Sequence, residues 1–483
     1  MSNNDYKFNL KNLSIELAEP SDASFLSALA LKSKAHWGYS EEFLSKCIDA
    51  LTISPKRISG GRFKLIKSNE KIIGFFGFSD EPEEFEMTHL FVDPEFIGKG
   101  IGIILWNNAL EFVKALGKES FIIISDPFAE KSFYSKMGAI RIGERNSEVD
   151  SSRQLPILLF DFKFSESLKM SIEYLNSPEA IKSIEADPYW PKWNSTWWHM
   201  LLLFEMGEAK QIPLNVVESY VAALSKTPLK IFPINPEDMP IGVDPYRESP
   251  CHCQLGNVYQ VLSACGVDVD SVLPWLRPWF LRYQMADGGL SCDNEAYLVK
   301  DEVPSSMVGT IAVFEAILLY TNRDFTTEEK QFLKKGAEFL IGRQLMYGSN
   351  TKHNAAERKS AELWMKLCFP RFYLYDVLRG LTALLKYSEK TGDFVPVSSI
   401  REVVKHLNQR FPNDKIIIER KSYEGVGTIL QTQSGEWILR QPATLFPLLT
   451  TVSQIGEESP FLTKQWLEAK SILERNPELK VLL

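Results

Sequence analysis

The pattern of hydrophobic and polar positions changes near residue 165 and divides the chain into two parts. In the first part, short apolar runs alternate with amphipathic stretches, as in a layered domain of strands and helices. Strands are predicted at 63–67, 72–78, 85–92, 119–125 and 155–164, and the first two of them form a hairpin. Helices are predicted at 102–116 and 129–137. We therefore expect an α+β fold in which helices cover a mixed, mostly antiparallel sheet.

Helical periodicity dominates the second part, and strand patterns almost vanish there. Four helical runs fit one series, and their starts lie about 50–65 residues apart, which is typical of repeated helix pairs. These runs are 197–206, 256–265, 305–319 and 371–385. We therefore predict two domains, 1–165 and 166–483, of which the second is all-α.

Composition excludes several classes of protein. The 483 residues are 45% hydrophobic and 24% charged, which is typical of globular domains, and the chain is too long for one ordinary core. A formal net charge of −8 argues against a nucleic-acid-binding protein. No apolar run reaches membrane-spanning length, no signal peptide is recognisable, and the six cysteines do not suggest a disulfide framework. We therefore expect a cytoplasmic protein without a membrane span.

The most informative local pattern lies between an apolar strand and an apolar helix. Residues 90–92 are apolar, Asp93-Pro94 cannot continue a strand, and alternating glycines precede the apolar run 103–106. The glycines are Gly98, Gly100 and Gly102. A glycine turn that opens a helix leaves backbone N–H groups free at the positive end of the helix dipole, where a pyrophosphate can bind. Because many strand-to-helix turns are glycine-rich for steric reasons alone, a purely structural turn is the alternative.

Residues 97–102, Ile-Gly-Lys-Gly-Ile-Gly, resemble the R/Q-x-x-G-x-G/A motif of the GNAT family of N-acetyltransferases. Gly100 and Gly102 match the motif, whereas Ile97 stands where the family has Arg or Gln. Downstream, residues 125–139 are similar to the family pattern N-x-x-A-x-x-x-Y-x-x-x-G, with one extra residue between the Ala and the Tyr. The resemblance implies an acyl-CoA N-acyltransferase fold and transfer of an acetyl group from acetyl-CoA to a small amine.

The resemblance also implies roles for particular residues. The glycine turn would bind the coenzyme A pyrophosphate, and the strand end before it would bind the thioester through its backbone. The implied coenzyme A-binding residues are Phe91, Val92, Gly98, Lys99, Gly100, Ile101 and Gly102. Tyr134 matches the family's general acid, and a phenol with a pKa near ~10 suits a thiolate of similar basicity. The alternative is that Tyr134 is a core residue.

Two residues of the strand 85–92 are candidates for the base that takes a proton from the amine. Side chains alternate between the faces of a strand, so Glu86 and His89 lie on opposite faces. Glu86 stands where many family members keep a carboxylate that acts through water, and His89 has the more suitable ordinary pKa. A solvated edge charge and a structural histidine are the alternatives.

The segment after the first predicted helix is a candidate for the acceptor pocket. Loops at this point cover the acceptor in the GNAT family, so the resemblance implies three substrate-binding residues, His36, Trp37 and Tyr39. The alternative is that these side chains only cap the helix that precedes them.

The second part is similar, in a more diluted form, to the α/α toroids of terpenoid cyclases and protein prenyltransferase β-subunits. Residues 284–290 resemble their Q-x-x-D-G-G-W turn, with Leu290 in place of Trp, and the acidic D-x-D-D motif of the cyclases is missing. The resemblance implies inner and outer helices around a cavity that binds a ligand or substrate. The aromatic stretches 189–198 and 369–376 would either line the rim of that cavity or pack helix ends together.

Cysteine and histidine residues cluster near predicted turns of the second part. Protein prenyltransferases hold zinc with an Asp, a Cys and a His from corresponding loops, and the resemblance implies zinc ligands at Cys253, Cys292 and His353. Cys251 and His252 directly precede Cys253. The alternative is that these cysteines are small buried apolar side chains.

Three functional interpretations are open from the sequence. We expect an acetyl-CoA-dependent N-acetyltransferase whose helical domain binds a ligand or substrate. Ile97, and Phe128 near the place where the family pattern has Asn, also fit a degenerate module that binds coenzyme A or a partner without catalysis. In the third interpretation, the toroid is a second enzyme, with or without zinc, that acts on an isoprenoid-like substrate.

Overall fold

The structure is a computed structural model that describes residues 13–79, 85–226, 251–424, 427–432 and 436–483. The chain divides into two compact units, Met1–Glu166 and Ser167–Leu483. In the described part of both units, no helix has the length and the apolar character needed to cross a lipid bilayer.

Strands and helices alternate along the first unit. Its strands are β1 (Leu13–Leu17), β2 (Phe63–Ser68), β3 (Lys71–Phe78), β4 (Met87–Val92), β5 (Ser120–Ile124), β6 (Ile140–Asn146) and β7 (Gln154–Asp161). Its helices are α1 (Ala23–Ala35), α2 (Glu41–Leu51), α3 (Pro55–Ser59), α4 (Ile101–Ala115) and α5 (Pro127–Ser132). Helix α6 (Phe162–Leu175) carries the chain into the second unit. Helix α4 begins and ends one residue before the predicted bounds.

Among the described residues of the first unit, the strands form two antiparallel sheets that meet at one isolated bridge. The strand orders are β1-β2-β3-β4 and β5-β7-β6. An isolated parallel bridge joins Glu86 to Ile122, and the Ile122 N–H donates to the Phe85 carbonyl oxygen at 3.0 Å. The expected antiparallel arrangement with covering helices is confirmed, but it consists of two sheets rather than one continuous sheet.

Aromatic side chains fix helix α4 against these sheets. The ring centroid of Trp106, on α4, lies 5.7 Å from that of Phe121 and 5.2 Å from that of Phe160. All three side chains are buried. Because interiors are close-packed and aromatic residues contribute the largest buried areas, this cluster leaves α4 little freedom to shift along its axis.

The prediction of one continuous helix over 129–137 is wrong. Helix α5 ends at Ser132, and Phe133 has φ −132° and ψ −68°, outside the helical region. A separate 3-10 turn, Tyr134–Met137, follows and ends at Gly138, whose φ is 89°. The hydrophobic periodicity continues across this break, so the sequence pattern alone indicates one helix.

The described part of the second unit is mainly helical, with a β-hairpin that the helical pattern did not predict. The hairpin joins β8 (Thr428–Gln431) to β9 (Trp437–Gln441). The longer helices are α8 (Thr196–Glu205), α9 (Leu214–Lys226), α10 (His252–Ala264), α13 (Met307–Tyr320), α14 (Thr327–Gly342), α16 (Val377–Thr391), α17 (Val397–Arg410) and α19 (Pro460–Arg475). The shorter helices are α7 (Pro178–Ala186), α11 (Val269–Val272), α12 (Leu276–Arg282), α15 (Ala355–Ala361) and α18 (Pro447–Val452).

The four runs that the sequence groups together overlap helices α8, α10, α13 and α16. Each of these helices packs against the next, and α16 packs against α19. A second series, α12, α14 and α17, packs in the same consecutive manner. An inner and an outer layer of helices would give two such series. That the layers close into a toroid stays a prediction.

Helices α10 and α13 approach closely enough to require glycine at their crossing. A Cβ atom at Gly256 would lie 2.5 Å from the carbonyl carbon of Ala312 and 2.6 Å from the amide nitrogen of Val313. The side-chain amide of Gln260 donates to the Ala312 carbonyl oxygen at 2.9 Å from the same face of α10. The two backbones are therefore in direct contact at Gly256.

We expect Gly256→Ala to lower the free energy of unfolding of the second unit by about 1–3 kcal/mol, because the added methyl group forces two packed backbones apart. The matched control is Gly342→Ala at the end of α14, where a Cβ would meet no atom within 4 Å. That variant should be neutral or up to about 1 kcal/mol more stable. Urea unfolding followed by circular dichroism measures both, and equal midpoints would contradict the close crossing.

Candidate functional site

One buried aspartate anchors the turn that connects β4 to α4. Asp93 Oδ1 accepts a hydrogen bond from the Glu95 N–H at 3.1 Å and caps the 3-10 turn Pro94–Phe96. Lys32 Nζ, on α1, lies 2.9 and 3.0 Å from the two carboxylate oxygens. Burial acts to raise the pKa of Asp93, but the hydrogen bonds and the lysine charge outweigh it and lower the pKa. The ionised carboxylate therefore holds the turn in place.

Two glycines with left-handed backbone conformations lead from this turn into α4. The φ angles are 78° at Gly98 and 86° at Gly100, and a Cβ at either position would meet no atom within 4 Å. Backbone conformation rather than crowding therefore requires glycine here. Gly100 is the N-cap of α4, and among the described residues no acceptor is found for the N–H groups of Gly100, Ile101 and Gly102. Three donors are thus available at the positive end of the helix.

The other positions of the glycine turn differ in what they offer an anion. A Cβ at Gly102 would lie 3.2 Å from the Phe133 ring, so this glycine keeps α4 close to the segment that carries Tyr134. Lys99 Nζ lies 5.2 Å from the Phe96 ring centroid. Ile97 is partly buried and supplies neither the charge nor the side-chain donor that Arg or Gln would add.

The end of β4 also carries a backbone donor. The Asp93 N–H donates to the Ile73 carbonyl oxygen on β3 at 2.9 Å. Because N–H groups alternate between the two edges of a strand, the Val92 N–H lies on the edge away from β3. In the described part of the chain no partner is found for it. Phe91, which pairs with Phe75, directs its own N–H towards β3.

Tyr134 lies in the core beside the glycine turn. Its ring centroid is 5.9 Å from that of Trp106 and 5.3 Å from that of Phe133, and 8% of the residue is exposed. Burial raises the pKa of Tyr134 well above its ordinary value, and the charge of Asp126 raises it further. The phenol therefore carries its proton at neutral pH, as a general acid must.

The two predicted bases lie in very different surroundings. Glu86 is partly exposed at the bridge to Ile122, and its N–H donates to Ser79 Oγ at 2.9 Å. His89 is 4% exposed, and its ring centroid lies 5.3 Å from that of Phe63 and 5.9 Å from that of Phe75. Burial lowers the pKa of His89 to about 3, so the imidazole is neutral and shielded from a substrate. This environment favours Glu86 over His89.

The predicted acceptor residues contact the beginning of α5. Trp37 stacks on Phe128, with ring centroids 6.3 Å apart and an angle of 5° between the planes, and both side chains are exposed. His36 packs edge-on against Trp37 at 5.6 Å. The Tyr39 hydroxyl donates to Asp126 Oδ2 at 2.6 Å. The loop after α1 and the start of α5 therefore form one aromatic surface.

Sequence reasoning missed the charged group beneath this surface. Asp126 caps α5 by accepting from the Phe128 N–H at 3.1 Å, and its Oδ2 lies 2.9 Å from Arg153 and 3.3 Å from Lys34. Arg153 also donates to the Tyr39 hydroxyl. The Asp-Pro pair was a signal for the cap, since Asp is a preferred N-cap and Pro a preferred first helical residue. No local pattern indicated the two cations.

In the second unit, three cysteines meet, but they are not the predicted set. The Sγ atoms of Cys251, Cys253 and Cys292 lie within 4.8 Å of one another. His353 is not part of this group, because its Nε2 lies 2.6 Å from Asp293 Oδ2. The structure thus brings Cys251 rather than His353 together with Cys253 and Cys292, and the zinc ligand set implied by the resemblance stays a prediction.

The charge of Lys192 affects the pKa of a thiol in this cysteine group. Lys192 Nζ donates to the Tyr373 hydroxyl at 3.1 Å and lies 5.3 Å from the Trp190 ring centroid. Hydrogen bonds with Cys251 and Cys292 lower the pKa of the Cys253 thiol well below its ordinary value, and the lysine charge lowers it further. Burial lowers the pKa of Lys192, and the cysteine charges oppose that effect.

The aromatic stretches of the second unit pack against each other. Trp193 is 1% exposed, and its ring centroid lies 5.3 Å from that of Phe372 and 4.4 Å from that of Trp198. Trp190 is also buried, beside Tyr189 at 4.9 Å. This packing favours the interpretation in which these residues join helix ends rather than line a rim.

The sequence model of the acetyltransferase (GNAT) domain matches residues 25–156. No curated protein matches the sequence. Among solved structures, the chain is similar to PaiA N-acetyltransferase from Thermoplasma acidophilum in complex with coenzyme A, with 21% identity over 31% of this chain and 99% of that chain and a TM-score of 0.27. It is also similar to the ribosomal-protein-S18-alanine N-acetyltransferase from Escherichia coli, with 13% identity, 31% and 94% coverage and a TM-score of 0.25.

A GNAT family acetyltransferase from Brucella melitensis in complex with acetyl-CoA gives 16% identity, coverage of 31% of this chain and 88% of that chain, and a TM-score of 0.23. The family match and the antiparallel sheets with their helices agree on the class of domain. The N-terminal part of the chain contains a GNAT acetyltransferase domain.

We expect Asp126→Asn to lower the free energy of unfolding at pH 7 by about 1–3 kcal/mol, because it removes the charge that Lys34 and Arg153 share. Burial raises the pKa of Asp126, but the hydrogen bond from Tyr39 and the two cations outweigh it, so the net shift is downward. The stabilisation is therefore complete above the ordinary carboxyl pKa near ~4 and is lost as the pH falls through the lowered value.

The difference between wild type and Asp126→Asn should accordingly shrink as the pH falls from 7 towards ~3. Denaturant unfolding at several pH values measures it. The exposed Asp49 provides the control, and Asp49→Asn should change stability by less than ~0.5 kcal/mol. A difference that grows at low pH would contradict the ion-pair assignment.

Proposed function

We propose that the first unit transfers an acetyl group from acetyl-CoA to a small amine. The observation that carries this proposal is the set of three backbone donors at Gly100, Ile101 and Gly102, which opens α4 directly after β4. A pyrophosphate is the ligand that such a glycine turn suits, because it brings negative charge and several acceptor oxygens to the positive end of a helix. The GNAT family match over residues 25–156 supports the same donor.

In this proposal, the acyl chain lies between β4 and β5. The two strands are joined by the bridge from Glu86 to Ile122, and the Val92 N–H faces the side where β5 would otherwise pair with β4. The carbonyl oxygen of a thioester in that space accepts a hydrogen bond from the Val92 N–H. The backbone of Phe91 borders the same space. The Lys99 ammonium provides a positive charge near the coenzyme.

The reaction then needs one base and one acid. Glu86 takes a proton from the ammonium form of the acceptor through a water molecule, and the free amine attacks the thioester carbon. A C–N bond forms, the carbonyl oxygen becomes an oxyanion at the Val92 N–H, and the C–S bond breaks. As the amide forms, the attacking nitrogen loses its second proton to water. Tyr134 gives its proton to the departing thiolate and regains one from water. Because burial lowers the pKa of His89 to about 3, its imidazole accepts a proton only weakly, and it has no step in this scheme.

We propose that the acceptor binds against the aromatic surface of His36, Trp37 and Phe128. Trp37 and Phe128 are exposed by 42% and 55% and stack on each other, so they form a contiguous exposed aromatic patch that a ligand could cover. Tyr39 joins this surface to the ion pairs of Asp126 below it. An amine with an apolar body would bury part of both rings.

The competing interpretation is a module that binds coenzyme A without catalysis. Ile97 removes one side-chain donor from the family pattern, which is the observation that favours this interpretation. A non-catalytic module would bind acetyl-CoA and leave a broad panel of amines unmodified, whereas the proposed enzyme acetylates at least one class of amine in that panel.

We expect Gly100→Asp to lower acetyl-CoA affinity by at least ~100-fold in titration calorimetry, because its carboxylate would lie beside the pyrophosphate. Gly117→Asp is the matched control. Gly117 also has a left-handed backbone, with φ 67°, and open space around its Cβ, but it lies beyond the other end of α4. It therefore reproduces the strain and the charge without the phosphate contact. Equal loss of affinity in both variants would reject the site.

We expect Tyr134→Phe to lower kcat by ~10²-fold with little change in acetyl-CoA binding, because only the transferable proton is removed. Tyr39→Phe is the comparison, since its hydroxyl bonds to Asp126 beneath the acceptor surface. That variant should raise the KM for the amine and leave kcat within about threefold. Unchanged turnover in Tyr134→Phe would make this tyrosine a packing residue.

A further inference from the structure

Three sulfur atoms from two separate segments converge in the second unit. Cys251 is the N-cap of α10, and Cys253 is in its first turn. Cys292 follows the turn at Gly288 and Gly289, 39 residues further along the chain. In the described ranges of the chain, this is the group of three His, Cys, Asp or Glu residues whose ligand atoms come close enough together to hold a metal ion.

The distances within the group suit a tetrahedral metal rather than a disulfide. The Sγ atoms of Cys251 and Cys253 are 3.8 Å apart. Zinc–sulfur bonds of about 2.3 Å at tetrahedral angles separate two sulfurs by about 3.8 Å. A disulfide needs about 2.05 Å. The group can therefore accept a central ion with little movement of the backbone.

Hydrogen bonds hold the two segments together. The Cys253 N–H donates to Cys292 Sγ at 3.2 Å. His252, which is fully buried, contacts the Ser291 carbonyl oxygen through Nδ1 at 2.8 Å. The Tyr297 hydroxyl lies 2.9 Å from the Ser291 amide nitrogen. These contacts place Cys292 against the start of α10, so the three sulfurs are pre-arranged.

A dication in this group would bind the cysteines as thiolates, because a cysteine must lose its proton to ligate a metal. The N-terminus of α10 and the N–H donated to Cys292 both stabilise negative sulfur. A zinc ion with three thiolates carries one net negative charge, which would be costly in a buried place. The Lys192 ammonium interacts with Cys251 and Cys253 and supplies the opposite charge. The buried site as a whole is then neutral.

We propose that Cys251, Cys253 and Cys292 bind one zinc ion as thiolates, with a water molecule at the fourth position. Three protein ligands leave that position open, and zinc accepts four ligands in tetrahedral geometry. The ion joins the beginning of α10 to the loop before α13. Its presence is independent of acetyl transfer in the first unit.

The test uses the complete chain, purified under reducing conditions and supplied with zinc. Elemental analysis should find about one zinc per chain in wild type. Cys292→Ser should lower zinc affinity by at least ~100-fold, measured by competition with a chromogenic chelator. The matched control is Cys265→Ser at the other end of α10, which should keep the wild-type affinity. Lys192→Met, which removes the compensating charge, should weaken zinc binding by about tenfold.

A second measurement keeps the proposal testable if Cys292→Ser fails to fold. Cadmium titrated into the metal-free wild-type chain should give sulfur-to-metal charge-transfer absorption with the intensity of three thiolates per ion. Free reaction of Cys251, Cys253 and Cys292 with a thiol reagent after reconstitution would overturn the assignment. A disulfide between Cys251 and Cys253 in the purified chain, or equal zinc loss in Cys265→Ser, would also overturn it. An intensity that corresponds to two thiolates per ion would also overturn it.

Discussion

The candidate active site depends on the separation of strand β4 from strand β5 beyond the bridge between Glu86 and Ile122. Adjacent strands normally satisfy each other's backbone groups, and an unpaired donor between them would be a defect in a purely structural sheet. Here the bridge from Glu86 to Ile122 ends the contact, and the Val92 N–H lies beyond it without a partner in the described part of the chain. The donors that begin α4 are also available. The proposed transfer reaction uses both sets of open donors.

Close helix packing has the corresponding role in the second unit. The contact of α10 with α13 at Gly256 fixes α10 through its backbone, so the position of its first turn is set by packing rather than by a ligand. That first turn carries Cys251 and Cys253, and the buried His252 joins it to the loop of Cys292. The proposed zinc site is therefore built on a rigid element, which is what a defined metal geometry requires.

Much of the fold of the first unit could be predicted from local pattern. The glycine turn could be predicted because the left-handed backbone conformations at Gly98 and Gly100 exclude most other residues. The conformation therefore appears in the sequence as glycine at these positions. The break at Phe133 could not be predicted, since the periodicity that indicates a helix continues through it. Tyr134 was recognised by motif, but its depth in the core depends on Trp106 and thus on the packing of α4.

The sequence by itself determined the class of the first unit, the turn that binds an anion in our proposal, and the repeated helices of the second unit. Each of these follows from residues that are neighbours along the chain or recur at a fixed period. The tertiary structure decided that His89 is buried among aromatic rings, that Asp126 is held by two distant cations, and that Cys251 rather than His353 joins Cys253 and Cys292. Burial and long-range contacts are set by how elements pack, and no local spacing encodes that packing.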